Sequence, residues 1–491
     1  MMLKRAIGFI VITAISLALS YAFNYFFLEL QTHDEFDQAL MLFFLTCAFT
    51  FIFFSLWVDG IKFEPKIQFN WLSANTLREN ALGIALAFLF LFVYLYFGRT
   101  LNDFGVRQVD NLFDADVGSW MRRIADSDIK DFEMRGPHPF TYFIFQPFGR
   151  TLNLFTQDPT LSAILLNAMA GGGCVFLMWL FVKRQFGSHI YALLMASLLG
   201  VSASHLFFGS VIETYIFSAF ALLLFLVLLH SNGNSIFRPV TGSVLTFGIT
   251  ITNFIQNFLA FIVARPRLKE IIRFTGWAIA VSLIFTYLHA VIYPASKLFF
   301  LTPDIENEEK FFLDLARTPD WFVIGRLMYL VRTILLYSVI APKVFILTDE
   351  VGSTIPEFRF YKISIGTFHQ TSYEGLGQGL VIFWALLLAV SGLVFLWKTL
   401  RERKLDLGIS LVLCLVFNFV LHLSYGQELF LYSPDWTYAL ILFVVLGLSP
   451  MARNRIFQGI MAVFIILLAY NQWQFMHTIL QSLKDYITSI L

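Results

Sequence analysis

The chain has 491 residues, of which 58% are apolar and only 14% charged, whereas soluble domains carry about 45–50% apolar and about 25% charged residues. Its 34 basic and 33 acidic residues leave a net charge of +1, which argues against a nucleic-acid-binding protein. The composition excludes a soluble enzyme, a disordered chain and a disulfide scaffold. It predicts an integral membrane protein with many spans.

The apolar stretches along the chain predict an all-α polytopic fold. A transmembrane helix needs about 20 consecutive apolar residues. Such stretches lie at 6–28, 38–58, 81–98, 160–182, 189–209, 212–230, 272–293, 377–397, 406–424, 434–449 and 456–479. These stretches, together with further apolar stretches of irregular pattern, predict a bundle of about 11–13 transmembrane helices.

Three further apolar stretches do not fit a simple span. The segment 240–263 has basic residues on both flanks, which predicts two short half-helices that meet near Thr252 and Asn253. A single crossing with one misassigned basic loop stays open as the alternative. The segments 139–157 and 320–341 carry polar residues within an apolar pattern, and we predict that both lie along the outer interface as amphipathic helices.

The orientation follows from the basic residues in short loops. Lys and Arg cluster at 4–5, 62–78, 183–184, 265–273, 398–404 and 453–455, and basic loops favour the cytoplasmic side. The two longest polar stretches, 99–138 and 294–376, then share the opposite face. We therefore expect any chemistry to face the periplasm or exterior. The lack of eukaryotic targeting or retention signals favours a bacterial inner membrane.

The first outer loop, 99–138, carries the densest charge in the chain. Asp114 and Asp116 lie in a short apolar context, where carboxylates are costly unless they have partners. One of them could serve as a general base for an acceptor hydroxyl, or the D-x-D pair could bind a divalent cation. Two solvated loop acids remain the alternative. No His or Cys cluster has the spacing of metal ligands, so the sequence assigns no metal site.

Other candidate residues flank later segments on the same face. His138-Pro139 opens the next segment, and His138 with Arg135 could contact an anionic phosphate at a helix start. Glu213 is an ionisable residue at the outer start of a span. Glu428 and Tyr432 belong to a third polar cluster, at 425–436. Aromatic belts account for its Tyr and Trp rings but not for its two acids, Glu428 and Asp435.

Together these motifs resemble those of the GT-C glycosyltransferases, which are polytopic enzymes that use polyprenyl-phosphate-linked sugars. The resemblance rests on the Asp pair, on GPHPFTYFIFQPFG, on Glu-Thr-Tyr at 213–215 and on QELFLYS, and it covers about residues 81–450. It implies a catalytic transmembrane module at 81–293. Two N-terminal transmembrane helices (1–80) and an outer-face loop with an interfacial helix (294–376) fit no pattern of the family, and C-terminal transmembrane helices (377–491) complete the predicted division.

The resemblance also implies a reaction. A sugar would pass from a polyprenyl-phosphate donor to a glycan, lipid or protein acceptor of the cell envelope, with Asp116 or Asp114 as the base. The candidate groups for the phosphate and the cavity wall are Arg122, Arg123, Arg135, His138, Glu213, Tyr215, Glu428 and Tyr432. Some family members use a divalent metal, so Mg²⁺ or Mn²⁺ stays open as a cofactor. A lipid-linked glycan polymerase or ligase is the alternative, and a secondary transporter is a weaker one.

Overall fold

The computed structural model describes residues 2–28, 35–59, 74–103, 111–126, 129, 134–231, 235–301, 306, 308–348, 355–402 and 407–490. Long apolar helices dominate it. Eight are long and apolar enough to cross a membrane within these residues. They are contained in α1 (Met2–Phe23 with a π-helical turn at Asn24–Leu28), α2 (Glu35–Asp59), α3 (Ala74–Asp103), α6 (Pro159–Phe186), α12 (Leu268–Ile292), α14 (Leu376–Glu402), α15 (Leu407–Ser424) and α17 (Arg455–Ile490). A multi-pass, mainly helical membrane fold is therefore confirmed. Among the described residues the eight candidate spans, or nine if one bent helix pair counts as a span, are fewer than the 11–13 predicted.

The remaining helices are shorter. They are α4 (Val117–Ala125), α5 (Thr141–Thr156), α7 (His189–Val201), α8 (Ala203–Ser210), α9 (Tyr215–Leu229), α10 (Phe237–Ile249), α11 (Phe254–Ala264), α13 (Asp320–Arg332) and α16 (Pro434–Gly447). Among them, α9 and α16 are almost entirely buried within the protein. A helix that neighbouring helices enclose does not need the length of a lipid-exposed span.

The predicted span 189–209 is not one straight helix, because it bends by 61° between α7 and α8 and forms a broken span or a re-entrant segment. Ser202 stands at the bend, and its hydroxyl donates to the carbonyl of Leu199 over 2.7 Å. The backbone N–H groups of Ala203 and Ser204 donate to the carbonyls of Val339 and Ser338, each over 3.0 Å. A distant segment thus satisfies the donors that the bend frees from the helix ladder, which such a break inside a membrane protein requires.

The segment 240–263 is interrupted near the predicted position. Helix α10 ends at Ile249, a 3-10 turn covers Ile251–Asn253, and α11 begins at Phe254. Thr250 is extended, and the N–H of Ile251 donates to the carbonyl of Pro137 over 3.0 Å. The first outer loop therefore supplies the partner for the broken backbone.

The segments predicted at the outer interface form α5 and α13. Helix α5 packs Phe145 and Gly149 against α4, and it contains Pro147. In α13, Arg326 is buried and only 4% exposed, so this side chain faces the protein. Its guanidinium donates to the carbonyls of Leu423 and Gly426 over 2.8 and 2.7 Å. It thereby caps the end of α15.

Two short antiparallel hairpins interrupt the helical pattern within 294–376. Strand β1 (Phe345–Leu347) pairs with β2 (Glu357–Arg359), and Phe345 lies opposite Arg359. Strand β3 (Tyr361–Ser364) pairs with β4 (Thr367–Gln370). The all-α prediction therefore holds for the membrane part but not for this loop.

The hydrophobic core divides into two clusters. The larger one runs from α3 to α17 and includes the hairpins. The smaller one joins α2 to α12 and to Leu298–Leu301. The smaller cluster therefore packs α2 against α12. Helix α3 begins at Ala74, so the predicted 80/81 boundary falls inside it.

Candidate functional site

The first outer loop adopts a strained conformation at the Asp pair. Phe113 and Asp114 have φ angles of 55° and 58°, in the left-handed region that costs about 1–3 kcal/mol for each non-glycine residue. The ring of Phe113 is fully buried against Phe207, Phe360 and Phe430. Such burial offsets the strain, so the core itself fixes where the Asp pair points.

Backbone hydrogen bonds also hold the loop against strand β2. The N–H of Phe113 donates to the carbonyl of Phe358 over 3.3 Å, and the N–H of Phe358 donates to the carbonyl of Asn111 over 2.8 Å. The Asn111 side chain reaches the carbonyl of Pro356 over 3.0 Å. The two long polar stretches, predicted to share one face, therefore meet directly at the Asp pair.

Asp114 forms an ion pair with Arg359, which the sequence reasoning missed. The guanidinium lies 2.7 Å from the carboxylate, and the two side chains are 19% and 25% exposed. Arg359 also binds Glu357 and donates to the Tyr361 hydroxyl over 2.8 Å. Desolvation raises the pKa of Asp114, while Arg359 opposes that shift.

Asp116 differs from Asp114, because no side chain within the described residues bonds to its carboxylate. Its backbone N–H donates to Glu213 over 2.9 Å, and its side chain is exposed. Protein still surrounds it closely enough that desolvation raises its pKa, against the opposing charges of Arg123 and Arg135. A base with a raised pKa operates closer to neutral pH.

Glu213 lies directly behind Asp116 and is only 3% exposed. Its carboxylate accepts from the N–H and hydroxyl of Thr214 over 2.7 and 3.0 Å, in addition to the Asp116 N–H. Burial, followed by the nearby Asp116 charge, raises its pKa to about 8. At neutral pH Glu213 is therefore mainly protonated, and it orders the Asp116 backbone.

The two arginines of α4 lie on the same short helix as Trp120, which is buried. Arg122 is exposed, whereas Arg123 is partly buried with its guanidinium 5.0 Å from the centre of the Trp120 ring. Because the charge of Arg123 also acts on Asp116, Arg123 belongs to the electrostatic site. Nothing in the described contacts places Arg122 with the Asp pair.

Arg135 is held by partners from a later loop. It forms a bidentate ion pair with Glu308, with Nε 2.9 Å from the carboxylate. Its guanidinium stacks 4.0 Å from the Phe311 ring and lies 3.5 Å from the Tyr425 hydroxyl. The sequence did not predict a role for Glu308. Because its carboxylate binds the Arg135 guanidinium, Arg135 must release Glu308 before it can bind a phosphate.

His138 occupies a turn before α5 rather than the first turn of a helix, since α5 begins at Thr141. Its Nδ1 lies 2.6 Å from the carbonyl of Ile249, and its ring contacts Trp120 edge-on. Burial lowers its pKa to about 3. The ring is therefore neutral at physiological pH, and His138 joins the broken helix to α4 instead of adding a positive charge.

The third polar cluster lies close enough to Arg359 and Asp114 for their charges to act on Glu428. Glu428 accepts from the Tyr329 hydroxyl and from the N–H of Phe430, the latter over 3.0 Å. Burial raises its pKa to about 7, and both Arg359 and Asp114 act on it. Its second oxygen is buried without a hydrogen-bond partner among the described residues.

Tyr215 and Tyr432 pack together with ring centres 5.0 Å apart, and His422 stacks 4.4 Å from Tyr432. Tyr215 lies near both Glu213 and Asp435, so these rings adjoin Glu213 as well as the third polar cluster. Tyr329, Tyr361 and Arg326, which complete this neighbourhood, were also missed. Each lies on a segment whose sequence alone shows no unusual chemistry.

The Asp pair does not form a metal site with its described neighbours. Asp114 is bound to Arg359, whereas Asp116 is hydrogen-bonded through its backbone to Glu213. Across the described residues, no three His, Cys, Asp or Glu side chains converge so that they could hold a metal ion. The described part of the chain therefore offers no ligand set for Mg²⁺ or Mn²⁺ at the Asp pair, and the proposed reaction uses no metal.

Comparison with known proteins leaves the family open. No protein-family model matches the sequence. A search of curated proteins also found no significant match.

Proposed function

We propose that the protein is a GT-C-type glycosyltransferase that moves a sugar from a polyprenyl-phosphate donor to a cell-envelope acceptor. The observation that carries the proposal is the Asp116 carboxylate, which has no side-chain partner among the described residues and lies under the charges of Arg123 and Arg135. A carboxylate with a raised pKa beside basic groups suits a hydroxyl acceptor and a phosphate leaving group.

An apolar cavity beside this centre supports a lipid-linked donor. Its volume is about 360 Å³, and its lining includes Ile144, Phe145, Phe217 and Ile249. Phe145 contacts Trp120, and the carbonyl of Ile249 binds His138. The wall of the polar site is thus also the wall of an apolar space suited to part of an isoprenoid chain.

The proposed reaction assigns separate tasks to the two aspartates. Asp116 takes the proton of the acceptor hydroxyl, whose oxygen attacks the anomeric carbon. The bond between that carbon and the phosphate oxygen breaks, and polyprenyl phosphate leaves with the bonding electrons. Arg123, and Arg135 after it releases Glu308, stabilise the phosphate charge. Asp114 stays paired with Arg359 and positions the loop.

The test is sugar transfer by the purified chain with polyprenyl-phosphate glucose, mannose and arabinose as donors and cell-envelope extract as acceptor. Asp116→Asn should lower the rate by about 10²–10⁴-fold, the range of general-base contributions. Asp314→Asn is the matched control, because the Asp314 carboxylate is exposed, pairs with the exposed Arg317 and accepts from the N–H of Ala316 in its own loop. Full activity of Asp116→Asn, or no transfer by the wild-type chain from any donor, would sink the proposal.

A further inference from the structure

A polar cavity lies at the opposite end of the helices from the candidate site. Its volume is about 830 Å³, and its basic lining residues are Arg265, Arg267, Lys269 and Arg273. The cavity is formed where α11 ends and α12 begins. The opposite end of α11, at Phe254, follows the interruption at 250–253. The opposite end of α12, at Ile292, is followed by Ser296, which pairs with Met134 of the first outer loop.

The charge balance of this cavity favours an anion. Among the described lining residues only Glu270 is acidic, and it lies 3.5 Å from the exposed Arg267 as a half-buried partner. The cavity also includes the start of α12, where no side chain of the described residues caps the helix. The first N–H groups of a helix attract negative charge, and here they add to the basic side chains.

The surface of α12 beside the cavity is apolar in a way that suits a lipid. Leu268 and Ile272 are 71% and 58% exposed, and they are four residues apart on one helix face. Lys269 and Arg273 have the same spacing, so the basic row runs beside the apolar row. A molecule with an anionic head and an apolar tail would match both rows at once.

We propose that this cavity binds the phosphodiester headgroup of an anionic phospholipid, with an acyl chain lying along Leu268 and Ile272. Basic cavities between transmembrane helices bind such headgroups by charge and shape. The site is independent of the glycosyltransferase proposal, because it involves none of the residues assigned to transfer.

The test is native mass spectrometry of the full chain in detergent, titrated with phosphatidylglycerol or phosphatidylcholine. The wild-type chain should prefer phosphatidylglycerol by at least tenfold. Each basic side chain near a membrane surface contributes roughly fivefold in affinity, so Arg265→Gln with Lys269→Gln should weaken binding by roughly thirtyfold. Glu270→Gln should strengthen phosphatidylglycerol binding, and this variant still tests the proposal if the double variant does not fold.

Arg453→Gln with Arg455→Gln is the matched control, because it removes two exposed basic residues outside the cavity. It should retain binding within about threefold. No preference for phosphatidylglycerol, an equal loss in the control, or weaker binding by Glu270→Gln would overturn the proposal. Saturation of the site by about 10 mM inorganic phosphate, without any lipid preference, would assign it to a free anion instead.

Discussion

Arg359→Gln tests whether one long-range ion pair holds the Asp114–Asp116 loop in place. Two opposite unit charges about 4 Å apart attract by about 4 kcal/mol at the effective permittivity near a protein surface. Arg359 and Asp114 are 19% and 25% exposed, and both lose hydration on pairing, so we take about 2 kcal/mol as the net contribution. Phe113 and Asp114 store strain of similar size. Loss of the pair should therefore favour local opening of the loop.

Hydrogen exchange read by mass spectrometry measures that opening. The amides of Phe113, Ala115 and Asp116 are hydrogen-bonded to Phe358, Leu112 and Glu213 in the closed loop. A 2 kcal/mol fall in the opening free energy should accelerate exchange at 111–117 by about thirtyfold. Exchange in the core of α6 should not change.

Three controls separate this effect from general destabilisation. Asp114→Asn should also accelerate exchange, and the double variant with Arg359→Gln should fall short of the sum, because both changes break one pair. Arg317→Gln removes an arginine from an exposed pair with Asp314 and should have no effect at 111–117. The ion pair does not hold the loop if Arg359→Gln leaves the exchange rate at 111–117 within threefold of wild type, or if it accelerates exchange in α6 by the same factor.

Two further predictions concern pH and packing. The native pKa of Glu213 is raised to about 8 from 4.5, so the native state binds more protons than the unfolded state between these two pH values. The free energy of unfolding should therefore fall as the pH rises through this interval. Between pH 6.5 and 8 the loss should be about 2 kcal/mol, and it should be smaller in Glu213→Gln. A thiol-reactive dye that labels the buried Cys174 and Cys414 on unfolding measures it. The same assay should show that Gly149→Ala, whose added methyl would overlap the Ile124 carbonyl, destabilises by about 1–3 kcal/mol. Gly392→Ala, which meets open space, should not; equal effects would contradict the packing argument.

The chain sequence alone determined the membrane architecture, because the length of an apolar run is a local property. It also indicated an interruption near 252–253, and the helix is interrupted at 250–253. The same reasoning singled out Asp114 and Asp116 as acids in a short apolar context. It singled out Glu213 as an acid at a span end and Glu428 as an acid that aromatic belts do not explain. Desolvation raises the pKa of all four in the folded chain.

The tertiary structure alone distinguished Asp114 from Asp116. The partner of Asp114 is Arg359, which lies 245 residues away along the chain in a loop without a recognisable motif. The bend at Ser202 likewise depends on carbonyls of Ser338 and Val339. Local sequence sets which groups are costly to bury, but the group that compensates each one is chosen by packing between distant segments. For that reason the sequence could nominate the acids, and only the fold could decide which of them is paired.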